Sequence, residues 1–81
     1  MIVSIGMIEE ALRKAGWVQD RPCNNLGRYR AVYIKDGRQL ALVAGHNGTV
    51  AIFEWSESMG WTRAYVGYHD EVLKWIEREA R

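Results

Sequence analysis

Cys23, His46 and His69 are the side chains best suited to nucleophilic or metal chemistry, and the chain holds no further cysteine or histidine. Arg21 precedes Cys23 by two residues and Asn24-Asn25 follows, a setting that favours the thiolate. A Cys–His nucleophilic pair needs a base within hydrogen-bond reach. His46 reads instead as a turn residue and His69 as a helix start, and no spacing links either to Cys23. Short Cys-x-x-Cys or His-x-x-x-His pairs are missing, so no metal site and no cofactor are expected. Gly45, Gly48, Gly60 and Gly67 fall at turns and strand ends, outside any phosphate-loop spacing. Glu54 is the one carboxylate on an otherwise apolar strand face, where a solvent-exposed strand-edge position or pairing with Arg30 or Arg63 is the plain expectation. The reading is a protein that is not an enzyme.

A second group of residues suits binding. Between Arg21 and Arg38 stand Arg21, Arg28, Arg30, Lys35 and Arg38 against one acid, Asp36, with Tyr29 and Tyr33 interleaved. Cations and aromatics on a sheet form the logic of a base-stacking platform for single-stranded nucleic acid. A net charge of +1 opposes strong backbone binding, because affinity scales with the number of phosphates neutralised. Nucleic acid is therefore the alternative reading, with modest, salt-sensitive affinity.

The elements that position these residues follow from periodicity. Ile5, Ile8, Leu12 and Ala15 make the apolar stripe of an N-terminal helix over 5–15, with Ser4 as N-cap and Gly16 as the residue that ends it. Glu9–Arg13 and Glu10–Lys14 are spaced for i,i+4 pairs. Trp17–Gln19 is a short extended lead-in, and 20–27 reads as a loop around Pro22, Asn24, Asn25 and Gly27. Arg28–Trp55 is a meander of three strands joined at Asp36-Gly37 and Asn47-Gly48, both favoured two-residue turn pairs. Trp61–Gly67 is a fourth strand. His69 or Asp70 caps a C-terminal helix that buries Val72, Leu73, Ile76 and Ala80, with Glu77–Arg81 as a further i,i+4 pair. The expected fold class is α+β in a single domain, 1–81, with helix, antiparallel meander of about four strands, helix, and both helices on one sheet face.

Two-residue turns fix a register. Lys35 faces Arg38, Ile34 faces Gln39 and Tyr33 faces Leu40; across the second turn Thr49 faces His46, Ile52 faces Val43 and Phe53 faces Leu42. One face then carries Tyr29, Tyr33, Lys35, Arg38, Leu40, Leu42, Phe53 and Trp55. The other carries Arg30, Val32, Ile34, Val43 and Ile52. Both are apolar, yet helices about 10 Å wide over strands about 4.8 Å apart cover only one face of such a sheet. The aliphatic face suits the helices. The aromatic face, with Arg28, Tyr29, Tyr33, Lys35, Arg38, Phe53 and Trp55, resembles an interface in composition. It is expected to bind a protein partner or a second copy of the chain as a homodimer, unless Met1–Val3 and the 56–60 loop cover it.

Composition bounds the rest. Charged residues are 26% and apolar ones 48%, a globular balance rather than a disordered one. One cysteine allows no internal disulfide, the start lacks the basic flank of a signal peptide, and no run is long enough for a membrane helix. The expectation is a cytoplasmic protein without membrane contact. Bare domains of this kind include inhibitors and accessory factors of phages and other mobile elements.

Over its first 40 residues or so the chain resembles the small HicA-type mRNA-interferase toxins, through Ile8-x-x-Ala-Leu-Arg-Lys-Ala-Gly-Trp17 and Gly27-Arg-Tyr-Arg-Ala-Val-Tyr33. The resemblance implies a double-stranded-RNA-binding-domain-like order of helix, three strands and helix. That family carries its catalytic histidine just after the glycine of the first strand. Here the segment is Leu26-Gly27-Arg28-Tyr29, without histidine, and Thr49–Trp55 adds a strand. The likeness therefore carries no nuclease activity with it.

Overall fold

Ser4 and Gly16 bracket the first helix. The computed structural model describes residues 2–25, 28–45 and 48–80, with the backbone alone at 22–25, 28 and 29. Helix α1 (Ile5–Lys14) begins where the Ser4 hydroxyl accepts the Met7 N–H at 3.3 Å. It ends in a Schellman turn: Gly16 N–H donates to the Arg13 carbonyl and Trp17 N–H to the Leu12 carbonyl, each at 3.0 Å. Gly16 holds φ +97°, a conformation glycine adopts without strain. Of the expected ion pairs, Glu10 turns to Arg13 at i,i+3, 3.5 Å away, and Glu9 accepts a hydrogen bond from the Tyr33 hydroxyl.

Five antiparallel strands follow in sequence order, β1 (Val18–Asn25), β2 (Arg28–Lys35), β3 (Arg38–Ala44), β4 (Thr49–Ser56) and β5 (Gly60–Tyr68). The fold class is the expected α+β arrangement with one strand more. The extra strand is β1, which takes in residues 20–25 that composition assigns to a loop. Pro22 pairs with Ala31 there, and a sheet edge is where a residue without an N–H donor is tolerated. Asp20 is the inserted residue of a bulge between Gln19 and Arg21; such kinks discourage an edge from pairing with other chains.

The first turn of the meander follows the expected pairing. Asp36 and Gly37 both have positive φ, +50° and +79°, as a type I′ turn requires, and Lys35 faces Arg38. The second turn departs from expectation by one residue. Ala44 pairs with Val50, Leu42 with Ile52 and Ala41 with Phe53, and Gly45 N–H reaches the Thr49 carbonyl at 3.3 Å. Three residues, 46–48, separate Gly45 from Thr49, and the last, Gly48, has φ +80°, the mark of a three-residue hairpin loop. His46 and Asn47 lie outside the described residues. A shift of one residue turns every β4 side chain to the opposite face. Phe53 and Trp55 therefore leave the side that carries Tyr33 and Leu40, while Val50 and Ile52 join it.

Helix α2 (His69–Glu79) has Tyr68 at its N-cap, one residue before His69, the nearer of the two expected caps. Glu71 reaches back to accept the Tyr68 N–H at 3.0 Å, satisfying a donor that the helix leaves open. His69 Nδ1 lies 3.1 Å from the Gly48 carbonyl, which ties the helix start to the β3–β4 loop. Arg81, the expected partner of Glu77, lies outside the described residues.

Both helices pack on one face. Ile8 and Leu12 from α1, Val72 and Ile76 from α2, and Tyr33, Leu40, Leu42, Val50 and Ile52 from the sheet form one buried cluster. Trp17, at 1% exposure, closes it, donating through Nε1 to the Ala80 carbonyl. Helices this short are marginal alone and owe their stability to this packing. Val3 packs on the same cluster, so it lies on the helix side. The shortest dimension, 19 Å, is one sheet plus one helix layer.

Candidate docking face

The site predicted from the sequence divides between the two sides of the sheet. Tyr33 is fully buried under α1. The Lys35 ammonium donates to the Ala15 carbonyl at the end of α1, at 2.6 Å. Arg38 stands 5.2 Å from the centre of the Trp17 ring and binds Glu54 at 2.9 Å. Tyr33 and Lys35 tie α1 and its C-cap to the sheet, and Arg38 ties β3 to β4 and to Trp17, all on the covered side, contrary to the expectation of an open aromatic face there. The reason is the register: Phe53 and Trp55, their supposed neighbours, point the other way. Glu54 thereby finds Arg38 rather than Arg30 or Arg63. The side chains of Arg28 and Tyr29 lie outside the described residues; their backbones pair with Asn25 and Asn24.

The side without helices carries the row Val32, Ala41, Phe53 and Arg63, and beside it the row Arg30, Val43, Ala51 and Val66. Val18, Ile34, Trp55 and Trp61 line one end, and Tyr68 stands at the other, opposite Thr49. Eight large apolar side chains are exposed among the described residues. Six of them are on this face (Val18, Ile34, Trp55, Trp61, Val66 and Tyr68), and only Ile2 and Met59 lie elsewhere. Trp55 and Trp61 pack edge to face, with centroids 5.6 Å apart and planes at 62°, yet each keeps 41% of its surface exposed. Arg30, Ala41, Val43, Phe53 and Trp61 line a hollow of about 230 Å³. A contiguous apolar field of this kind is unusual on an unpartnered surface.

Charge separates the faces as clearly as shape. Lys35 and Arg38, on the covered side, each have a partner within the fold. On the open side, Arg30 and Arg63 are exposed, and neither has a carboxylate within ion-pair distance among the described residues. Arg21, opposite Val32, is held by Asp20 of the bulge at 3.3 Å. No strand position facing this side in register with Val32 or Val43 bears an acid.

The residues suited to covalent or metal chemistry are spread out. Cys23 lies in edge strand β1 and His69 just beyond the opposite edge strand β5. Four strand intervals, about 19 Å, separate those edges. Among the described residues no three His, Cys, Asp or Glu gather as a metal site, and no helix is long and apolar enough to cross a membrane. A second depression runs between the outer surfaces of the helices, lined by Met7, Glu10, Ala11, Lys14, Leu73 and Glu77 among others. It mixes both charge signs and exposes no large aromatic side chain.

Sequence reasoning placed Arg30 and Ile34 on one face but gave that face to the helices, and it did not bring Val18, Phe53, Trp55, Trp61, Arg63 or Val66 to it. The signal was the loop: His46-Asn47-Gly48 read as three residues, with glycine last, turns β4 over and assembles this face. No known family model, curated protein or solved structure matches the chain.

Proposed function

We propose that the protein is a non-catalytic interaction module that docks on a protein partner through the helix-free sheet face, in the manner of an inhibitor or accessory factor. The observation that carries this reading is the concentration of exposed apolar side chains on that face, with Trp55 and Trp61 half-open at one end. Large aromatics that bury much area at low entropic cost are the residues that dominate docking energetics. Capture from the native host with and without nuclease tests the reading. A stoichiometric protein partner that survives nuclease and is lost on Trp55→Ala supports it; a partner indifferent to Trp55→Ala removes it.

A second reading rests on Arg30 and Arg63, which share the face with Phe53, Trp55 and Trp61. It takes the face as a platform for single-stranded nucleic acid. Binding to an oligouridylate that falls steeply with salt and fails in Arg30→Ala plus Arg63→Ala would favour it.

A further inference from the structure

We infer that the occupant of the open face is an amphipathic helix of a partner protein whose apolar stripe is flanked by carboxylates, and not a second copy of this chain. The inference rests on the docking reading above and names the partner's chemistry.

Charge complementarity favours an acidic partner over a second copy. An isologous dimer brings the same patch to both sides of the interface. Here that would set Arg30 and Arg63 of one copy against a surface that offers Arg30 and Arg63 again. Like charges brought together at an interface cost free energy and exclude wrong partners. The cations that the fold needs for itself, Lys35 and Arg38, are already satisfied on the other side. Arg30 and Arg63 are left for a partner. Each stands beside an apolar residue, Arg30 at the rim of the hollow with Phe53 and Trp61, and Arg63 directly across from Phe53. A ligand that fills the hollow with an apolar side chain brings its flanking positions to the guanidinium groups.

The shape of the face favours a helix. The opposite face of the same sheet is covered by two amphipathic helices that present Ile8, Leu12, Val72 and Ile76 to it. The open face offers similar material, small residues at Ala41 and Ala51 with taller side chains around them, across the same five strands. A helix about 10 Å wide fits that field, by the groove mode of peptide recognition in which i, i+3, i+4 and i+7 side chains anchor.

Nucleic acid is the weaker fit. The Trp55 and Trp61 rings pack on each other edge to face, which uses ring surface that stacked bases would need. Most of the remaining field, Val18, Ile34, Val43, Ala51 and Val66, gives a base neither a flat π surface nor a hydrogen bond. Among the described residues two unpaired arginines, Arg30 and Arg63, neutralise about two phosphates, a small share of a typical nucleic-acid interface.

The test uses the full chain and three probes, followed by amide chemical shifts and tryptophan fluorescence. They are a synthetic amphipathic helical peptide with a leucine stripe flanked by glutamates, the same peptide with lysines for glutamates, and an oligouridylate. The glutamate peptide is expected to shift Ala51, Phe53 and Trp61 resonances and to bind at least about tenfold tighter than the lysine peptide. Its affinity should fall about tenfold in Arg30→Glu plus Arg63→Glu, two exposed changes that leave the core cluster untouched. Equal binding of both peptides, an unchanged affinity in the double variant, or tighter binding of the oligouridylate would overturn the inference. Sedimentation of the protein alone distinguishes the two levels of failure. A dimer at micromolar concentration that dissociates on Trp55→Ala retains the open face as a docking surface and overturns the acidic partner. A face on which neither peptide nor second copy shifts any resonance overturns this inference, while the capture experiment decides the docking reading separately.

Discussion

Trp17 and Trp55 are the same residue type in opposite roles, and substitution should separate them. Trp17 is buried, donates to the Ala80 carbonyl and carries Arg38 over its ring. Trp17→Phe keeps most of the volume and removes the donor, leaving a buried carbonyl unpaired, which costs about 1–3 kcal/mol. Trp55→Ala removes a half-exposed ring and its contact with Trp61, which contributes about 0.5–1.5 kcal/mol. Urea unfolding should therefore show the milder change at Trp17 to be at least as costly as the drastic one at Trp55. A Trp55→Ala midpoint well below that of Trp17→Phe would contradict the placement of both. At this scale the sequence told the aromatic and basic residue types but not their roles. Tyr33 and Trp55 both read as interface aromatics, and only the side each faces distinguishes a core phenol bound to Glu9 from an open indole.

At the scale of elements, local rules worked where one residue decides and failed where a count decides. Ser4 and Gly16 delimit α1 as their chemistry demands, and Asp36-Gly37 makes its two-residue turn. The β1 strand was hidden by Pro22 and the asparagines, because an edge strand tolerates residues that look like loop. The β4 register was hidden because both faces of Thr49–Ser56 are apolar: Val50 and Ile52 alternate with Ala51, Phe53 and Trp55, so the alternation favours neither side. Only the length of the loop chooses. Inter-strand nuclear Overhauser effects give the answer directly. The structure predicts backbone contacts of Leu42 with Ile52 and of Ala44 with Val50; contacts of Leu42 with Phe53 would restore the two-residue turn and return Phe53 to the helix side.

At the scale of the molecule, the expectation that two helices leave one sheet face uncovered is what the structure contains, because it depends on widths and not on register. The identity of that face did depend on register, and it is the aliphatic side joined by Phe53, Trp55 and Trp61, with Arg30 and Arg63 unpaired among the described residues. Two surfaces then compete for a partner: this face and the mixed-charge groove between the helices. One comparison decides between them. Partner capture is measured with Trp55→Ala plus Trp61→Ala and, in parallel, with Met7→Ala plus Lys14→Ala on the outer surface of α1, each scaled by its urea midpoint. The tryptophan pair is expected to abolish capture and the α1 pair to retain it. Capture that survives loss of both tryptophans and fails with the α1 pair would contradict that expectation.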